Sequence, residues 1–357
     1  MKPIQLGNRQ VGGGAPVYVT FEAGPTHCGL ESAKRLVTAA ARAGADAVKF
    51  QVVDPDRMVA DRTQPFEYEV LADRATGRTE RVSEPLYDLL ARRALSPHEW
   101  RRLKRHADEA GLAFFATVAF EDEIDLVREL GCHSIKIASA DVNHLPLIRR
   151  AAATGLCIQL DTGSATLGEI ETAVEAIRDA GNDDIIIHHC PSGYPARLAS
   201  VNLRIITTLK QLFPHPVAFS DHTPGRDMDI AAVALGADLV EKTITEDRTT
   251  RSVEHIMSLE PADMTDFVRA IRDLEVALGD TRRQLHAEER RRRLQVRRSA
   301  FLAGDVCAGA RLGDAPVVFR RPGDGLAPDA YERLLDARFA RDLPAGAKLG
   351  VADLVST

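Results

Sequence analysis

Three features are missing from this chain of 357 residues. There is no Cys-x-x-Cys pair. The five cysteines, Cys28, Cys132, Cys157, Cys190 and Cys307, are scattered and odd in number, which fits reduced thiols in a cytoplasmic protein. No apolar run approaches the ~20 residues a membrane helix needs, and no secretory n-region and h-region are readable, so neither membrane nor export is expected. No Gly-x-Gly-x-x-Gly follows the first strand pattern, which argues against a doubly wound dinucleotide-binding sheet. Positive charge is in deficit as well: 46 basic against 52 acidic residues leave a net −6, so no nucleic-acid partner is expected.

What is present is an alternation. Residues 17–24 read as a strand, 29–43 as a helix stopped by Gly44, and Asp46–Gln51 as a second strand. Residues 52–96 are polar and weakly patterned, and read as a long loop with one or two short helices over the site. Strands are then expected at 113–117, 134–139, 157–161, 185–189, 217–220 and 239–242. Helices are expected at 97–110, 121–130, 145–154, 167–180, 201–213, 227–235 and 261–278. About eight β-α units over roughly 260 residues predict a (β/α)8 TIM barrel over 1–281. Residues 282–293 read as a basic, solvated linker, and 294–357 as a small Gly-, Pro- and Ala-rich domain with short β-like runs such as 316–319. So thin a domain is marginal alone and is expected to lean on the barrel or on a second subunit.

In such a barrel the C-terminal strand ends carry the site. Those ends hold Glu22, Lys49, Gln51, Thr117, Lys136 and Ser139, then Asp141, Asp161, Thr162 and His189. The last two strands end in Ser220-Asp221-His222 and Glu241-Lys242-Thr243. Three lysines with hydroxyl donors suit a phosphorylated or carboxylated substrate, and histidine beside carboxylates suits a metal or proton transfer. The competing reading of each lysine is an internal ion pair with a neighbouring strand-end carboxylate. A Schiff-base aldolase is disfavoured, because nearby carboxylates keep lysine protonated.

Several segments carry a resemblance: 21–24 (FEAG), 44–51 (GADAVKFQ), 135–139 (IKIAS), 189–195 (HCPSGYP), 220–223 (SDHT), 233–237 (VALGA) and the tail loop 320–325 (RRPGDG). In nearly the whole chain, and in order, it resembles the sialic acid synthase family of N-acetylneuraminate, legionaminate and pseudaminate synthases. The tail loop is similar to that of the family's antifreeze-like (SAF) domain. The resemblance implies a condensation of phosphoenolpyruvate with the open-chain aldehyde of an N-acylated amino sugar. The products are a 2-keto-3-deoxy nonulosonic-type acid and phosphate. It implies that Lys49, Gln51, Lys136, Ser139 and Ser220 hold phosphoenolpyruvate. Asp141 would activate water, and Glu22 would order the substrate or a metal-bound water. Thr117, Tyr194 and Glu254 line up with sugar-contacting positions. Arg321 would reach the sugar pocket of the other subunit in a domain-swapped homodimer.

Three departures stand out. The family's divalent metal, Mn or Mg, is held by two histidines; the first is His222, and the second position is Thr243, a poor ligand for such an ion. That leaves open a weaker site built from His222, Glu22, Asp221 and waters, a metal-free enzyme, or a non-catalytic sugar-binding barrel. Asp161 replaces a serine; a carboxylate beside an anionic substrate needs a partner, either Lys136 or a substrate amine, and it points to an altered acceptor in a specialised sugar or antibiotic pathway. At Pro25-Thr26-His27-Cys28 the histidine of an Asn-His pair is kept and the asparagine is gone; His27 either serves the site or only fixes its loop.

Overall fold

The structure is a computed structural model, and it describes residues 2–355. Eight strands close a parallel barrel in sequential order. They are β1 (Tyr18–Glu22), β2 (Ala47–Gln51), β3 (Ala113–Val118), β4 (Ser134–Ile137), β5 (Cys157–Asp161), β6 (Ile185–His189), β7 (Val217–Asp221) and β8 (Leu239–Thr243). Helices α1 (Leu30–Ala43), α2 (Pro97–Glu109), α3 (Glu121–Glu129), α4 (Leu145–Ala152), α5 (Leu167–Asp179), α6 (Ile205–Leu212), α7 (Asp227–Ala234) and α8 (Pro261–Leu278) follow them in turn. The (β/α)8 expectation is met.

Local signals explain the helix limits. Ser96 caps α2 reciprocally with Glu99, and Thr166 caps α5 with Glu169, so the first free N–H groups of each helix are satisfied. Gly44 ends α1 in the left-handed conformation, where a side chain would be strained. The strands are buried on both faces because helices cover their outer sides.

Alternation sorts each strand into two faces. Outward residues such as Phe21, Phe50, Phe114, Ile137, Leu160 and Phe219 join the helices in the main core. Inward residues Tyr18, Ala47, Phe115, Ile186, Ala218 and Leu239 form an apolar lower layer. An antiparallel hairpin, Ile4–Leu6 with Arg9–Val11, adds Ile4, Leu6 and Val11 to that layer and seals the barrel floor. Above it the buried inward strand positions carry polar side chains such as Thr20, Lys49, Lys136, Gln159, His188, Ser220 and Glu241.

One expectation needs correction. Residues 52–96 contain two short helices, Pro55–Met58 and Leu86–Ala91, but also a long hairpin pairing Pro65–Asp73 with Arg78–Pro85. Tyr68, Val70 and Val82 on one hairpin face pack with Leu89 and Val253, so its apolar residues alternate with charged ones that face away.

The chain divides into two compact units, one running to Gly279 and the other starting at Asp280. The second holds a helix over the basic stretch, Ala287–Val296, and two small antiparallel sheets, Ser299–Leu302 with Val317–Arg320 and Arg338–Phe339 with Leu354–Val355. Its core gathers Leu302, Leu312, Leu326, Phe339 and Leu349. In the 320–325 loop a side chain at Gly325 would press on the Leu349 carbonyl at 2.7 Å, so that approach requires glycine.

Candidate active site

The inward residues at the top of the barrel build one ionic layer. Register places Glu22 opposite Lys49, Ser220 opposite Glu241, and Thr117 opposite Lys136. The Glu241 carboxylate accepts from Lys49 at 2.7 Å, from Lys136 at 2.8 Å and from the Ser220 hydroxyl at 3.0 Å. Lys49 also pairs with Glu22, whose other oxygen accepts from the Gly24 amide. Lys136 pairs with Asp161 at 3.0 Å. Two ammoniums and three carboxylates therefore interlock in a space almost shut from water.

The charge states follow from these contacts. Burial opposes the charge on Glu241, but the Lys136 and Lys49 ammoniums outweigh it and hold the carboxyl well below its usual range. Burial likewise opposes the charge on Lys136, and Asp161 and Glu241 keep it raised above the usual lysine range. A lysine held protonated in this way is unsuited to a Schiff base. Below it His188, which sequence reasoning passed over, is driven well below its usual range by burial and by Lys136. Its Nδ1 accepts from Lys136 at 3.0 Å, which leaves Nε2–H to donate to Gln159 at 2.9 Å. The Gln159 amide donates onward to Ser134 at 2.8 Å. The lumen lysine thus stands on a satisfied polar column.

Above this layer opens a cavity of about 290 Å³. Of the residues singled out in the sequence, Glu22, Lys49, Gln51, Thr117, Ser139 and Asp141 line it, with Asp161, Tyr194, Ser220, His222 and Glu254. Lys136 does not itself line the cavity; it is fully buried behind Asp161 and Glu241, which do. Ser139 accepts from the Gly163 amide at 3.0 Å, and a side chain at Gly163 would meet that hydroxyl at 2.6 Å, so glycine lets the β4 and β5 ends meet. Asp141 is half-buried, and burial raises its carboxyl, with His144 opposing. Arg321 belongs to the second unit, where it is exposed and donates to the Val296 carbonyl at 2.9 Å.

Alternation overturns part of the strand-end reading. Lys242 points out of the barrel, where it pairs with Asp221 and lies 3.4 Å from Asp229 of α7. Two lysines, not three, face the mouth. Asp221 is turned away with Lys242 and also accepts from Thr223, so it is no ligand for a metal at His222. His189 points outward too, bonded to the Val201 carbonyl. His27 is buried against Phe50, its ring centroid 5.5 Å away, and burial lowers its pKa to about 4; it fixes its loop.

The His222 corner is distinctive. Its Nδ1 donates to the Pro191 carbonyl at 3.0 Å, and its ring centroid lies 4.8 Å from that of Tyr194. Burial would lower its pKa, but Cys190, Glu254 and the Pro191 carbonyl carry it up to about 10. Glu254 sits at φ 70 in the left-handed region, unusual for a non-glycine residue, with Thr243 at 3.5 Å. Among the described residues no three His, Cys, Asp or Glu side chains converge as a metal's ligands. One imidazole, with a hydroxyl at position 243, does not fit the two-histidine metal site of the resemblance.

Arg93 was missed by sequence reasoning. It lines the cavity, is 6% exposed, and donates to the carbonyls of Leu89 at 3.1 Å and Pro25 at 3.4 Å. Among the described residues no carboxylate lies within ion-pair reach of it. It sits in the weakly patterned 52–96 stretch, where no motif marks it.

A larger cavity of about 610 Å³ lies outside the barrel, beside α2 and α3, and no lysine lines it.

The chain is similar over most of its length to known proteins. N,N'-diacetyllegionaminic acid synthase of Legionella pneumophila is 32% identical over 96% of this chain and 97% of its own length. The spore coat polysaccharide biosynthesis protein SpsE of Bacillus subtilis is 33% identical over 97% of this chain and 95% of its own. The solved N-acetylneuraminic acid (sialic acid) synthetase of Leptospira borgpetersenii, in complex with citrate, superposes with a TM-score of 0.71 at 30% identity, covering 82% of this chain and 95% of that one. The NeuB family model matches residues 36–283. The chain belongs to the NeuB family.

Proposed function

We propose that the chain condenses phosphoenolpyruvate with the open-chain aldehyde of an amino sugar, forming a carbon–carbon bond and releasing phosphate. As a member of this family it is a carbon–carbon bond-forming synthase, related to synthases of sialic, legionaminic and pseudaminic acids. The observation that carries the reading is the convergence of Lys49 and Lys136 on Glu241 at the barrel mouth, with Lys49 lining the cavity and Lys136 directly behind its Asp161 and Glu241 wall.

In this reading Lys49, Lys136, Gln51, Ser139 and Ser220 hold the phosphate and carboxylate of phosphoenolpyruvate. Its C3 attacks the aldehyde carbon. His222 donates a hydrogen bond to the aldehyde oxygen, which becomes a hydroxyl. Asp141 takes a proton from the water that attacks C2, a role suited by its raised pKa. Collapse of that adduct expels phosphate. No step is assigned to a metal, because the donor set does not fit one. Thr117, Tyr194 and Glu254 contact the sugar, and Arg93 offers a buried guanidinium to an acceptor oxygen or anion at the far end. We assign the second unit as an antifreeze-like domain that lends Arg321 to a neighbouring subunit's sugar pocket in a homodimer. Five unpaired cysteines fit a cytoplasmic setting, and among the described residues no helix is long and apolar enough to cross a membrane.

A divergent synthase acting on another aldehyde is the second reading. The Asp161–Lys136 pair favours it, since a carboxylate stands where the resemblance has serine. The test is phosphate release from phosphoenolpyruvate across a panel of N-acylated hexosamines and other aldoses, with Mn²⁺ and with chelator. Release with an N-acylated hexosamine supports the first reading, and release only with another aldose supports the second. Release only with Mn²⁺ would refute the metal-free scheme. Binding of phosphoenolpyruvate without release from any acceptor would leave a sugar-binding barrel.

A further inference from the structure

The ionic layer carries more negative than positive charge before any substrate enters. Glu22, Glu241 and Asp161 face Lys49 and Lys136. A phosphate-bearing carboxylate brought onto these lysines meets three like charges where little water screens them. Something must yield, and the three carboxylates are not held equally. Glu241 is fixed by two ammoniums and a hydroxyl. Glu22 has the Lys49 ammonium and the Gly24 amide. Among the described residues Asp161 has the Lys136 ammonium alone, at 3.0 Å.

On this basis, and resting on the phosphoenolpyruvate reading above, we propose that Asp161 couples substrate binding to the uptake of one proton. In the resting site it is the carboxylate counter-ion of Lys136. When the phosphate arrives, Asp161 takes a proton from solvent, releases Lys136 to the substrate, and donates a hydrogen bond to a phosphate oxygen as a neutral acid. It thereby does as a carboxylic acid what a hydroxyl would do at that place.

The groups facing Asp161 agree with this. From β4 comes Lys136, from β8 Glu241, from β2 Lys49, and from β6 His188, whose Nδ1 lies 3.7 Å away; Tyr194 stands beyond β6. Burial raises the Asp161 carboxyl, Lys136 opposes, and Glu241 adds to the rise. Substrate on Lys136 draws the ammonium away from Asp161 and brings negative charge close to it, which drives the proton on.

The test is calorimetric titration of phosphoenolpyruvate into the full chain at pH 8, in two buffers of different ionisation enthalpy. At that pH the substrate's own phosphate is almost fully dianionic. The expected result is uptake of about one proton per phosphoenolpyruvate bound, and a Kd that rises roughly tenfold per pH unit above neutrality. Asp161→Asn keeps the shape and a neutral donor. It should abolish the uptake, flatten the pH dependence and bind at least about tenfold tighter at pH 8. Asp161→Ser, checked for a near-unchanged Tm, should behave alike. Binding without proton uptake, or uptake that persists in both variants, overturns the inference and leaves the phosphoenolpyruvate reading intact. No binding heat in the wild type or in either variant removes both.

Discussion

Glu241 and Lys242 are sequence neighbours on β8 whose side chains lie on opposite faces of the barrel wall: Glu241 joins the lumen lysines, and Lys242 pairs outward with Asp221. Replacing the two kinds of lysine should therefore give different losses. Lys242→Met leaves Asp221 and Asp229 facing each other without a cation and should cost about 3–5 kcal/mol of stability. Its affinity for phosphoenolpyruvate should stay near wild type. Lys136→Met should also lower stability, and weaken phosphoenolpyruvate binding by roughly a hundredfold, the worth of one charge-assisted contact of about 2–3 kcal/mol. Urea denaturation and calorimetry on both variants separate the effects; equal loss of affinity in both would refute the assignment of faces.

Arg93→Leu should raise the acceptor KM tenfold or more while leaving phosphoenolpyruvate affinity unchanged, since Arg93 follows the short helix Leu86–Ala91 and bonds to the Leu89 and Pro25 carbonyls rather than joining the Lys49–Glu241–Lys136 cluster. Arg93→Lys should recover only part of the loss, because an ammonium lacks the planar fork. An acceptor KM unmoved by Arg93→Leu would show that the guanidinium merely ties Leu89 to Pro25.

Thr243→His should create a metal site that the wild type lacks. Mn²⁺ titration followed by calorimetry or paramagnetic relaxation should show one site in the variant, tighter than wild type by at least about a hundredfold, as expected on adding an imidazole ligand. Tight stoichiometric Mn²⁺ binding to the wild type would contradict the donor-set argument.

Glu123 gives a pH signature outside the site. It caps the start of α3, its carboxylate accepting from the amides of Ala119 at 2.6 Å and Phe120 at 3.1 Å. Burial raises its pKa from 4.5 to about 6, against the pull of those amides. The folded state thus binds more protons than the unfolded between those values. This contribution to stability is full below pH 4.5 and is lost as pH rises towards 6. Glu123→Gln should remove that slope, seen as the difference between wild-type and variant denaturation midpoints across pH 4 to 7.

The barrel was legible because each of its units repeats one signal: an apolar run, a polar stop, a helical period. The site was legible down to which strand ends matter, but not which way they face. Glu241 and Lys242 look equally chemical in the sequence, and only the period of two, counted from a residue known to face inward, separates them. His188 was hidden by His189, the later of an adjacent pair. The 65–85 hairpin went unread because Phe66, Tyr68 and Val70 alternate with glutamates, and a run that polar resembles a loop until Leu89 and Val253 supply the surface it covers. Arg93 had no local signal; its role comes from burial against backbone carbonyls contributed by distant segments.

That hairpin also separates two kinds of change. Its nine- and eight-residue strands pair with each other and with none of the eight barrel strands, yet Phe66 at its base helps roof the cavity. Lengthening or shortening it by pairs of residues preserves its own register and leaves the barrel ladder untouched. Such edits would reshape the ceiling over the acceptor while the ionic floor stays as it is. The fold thus allows the choice of sugar to drift independently of the chemistry beneath it.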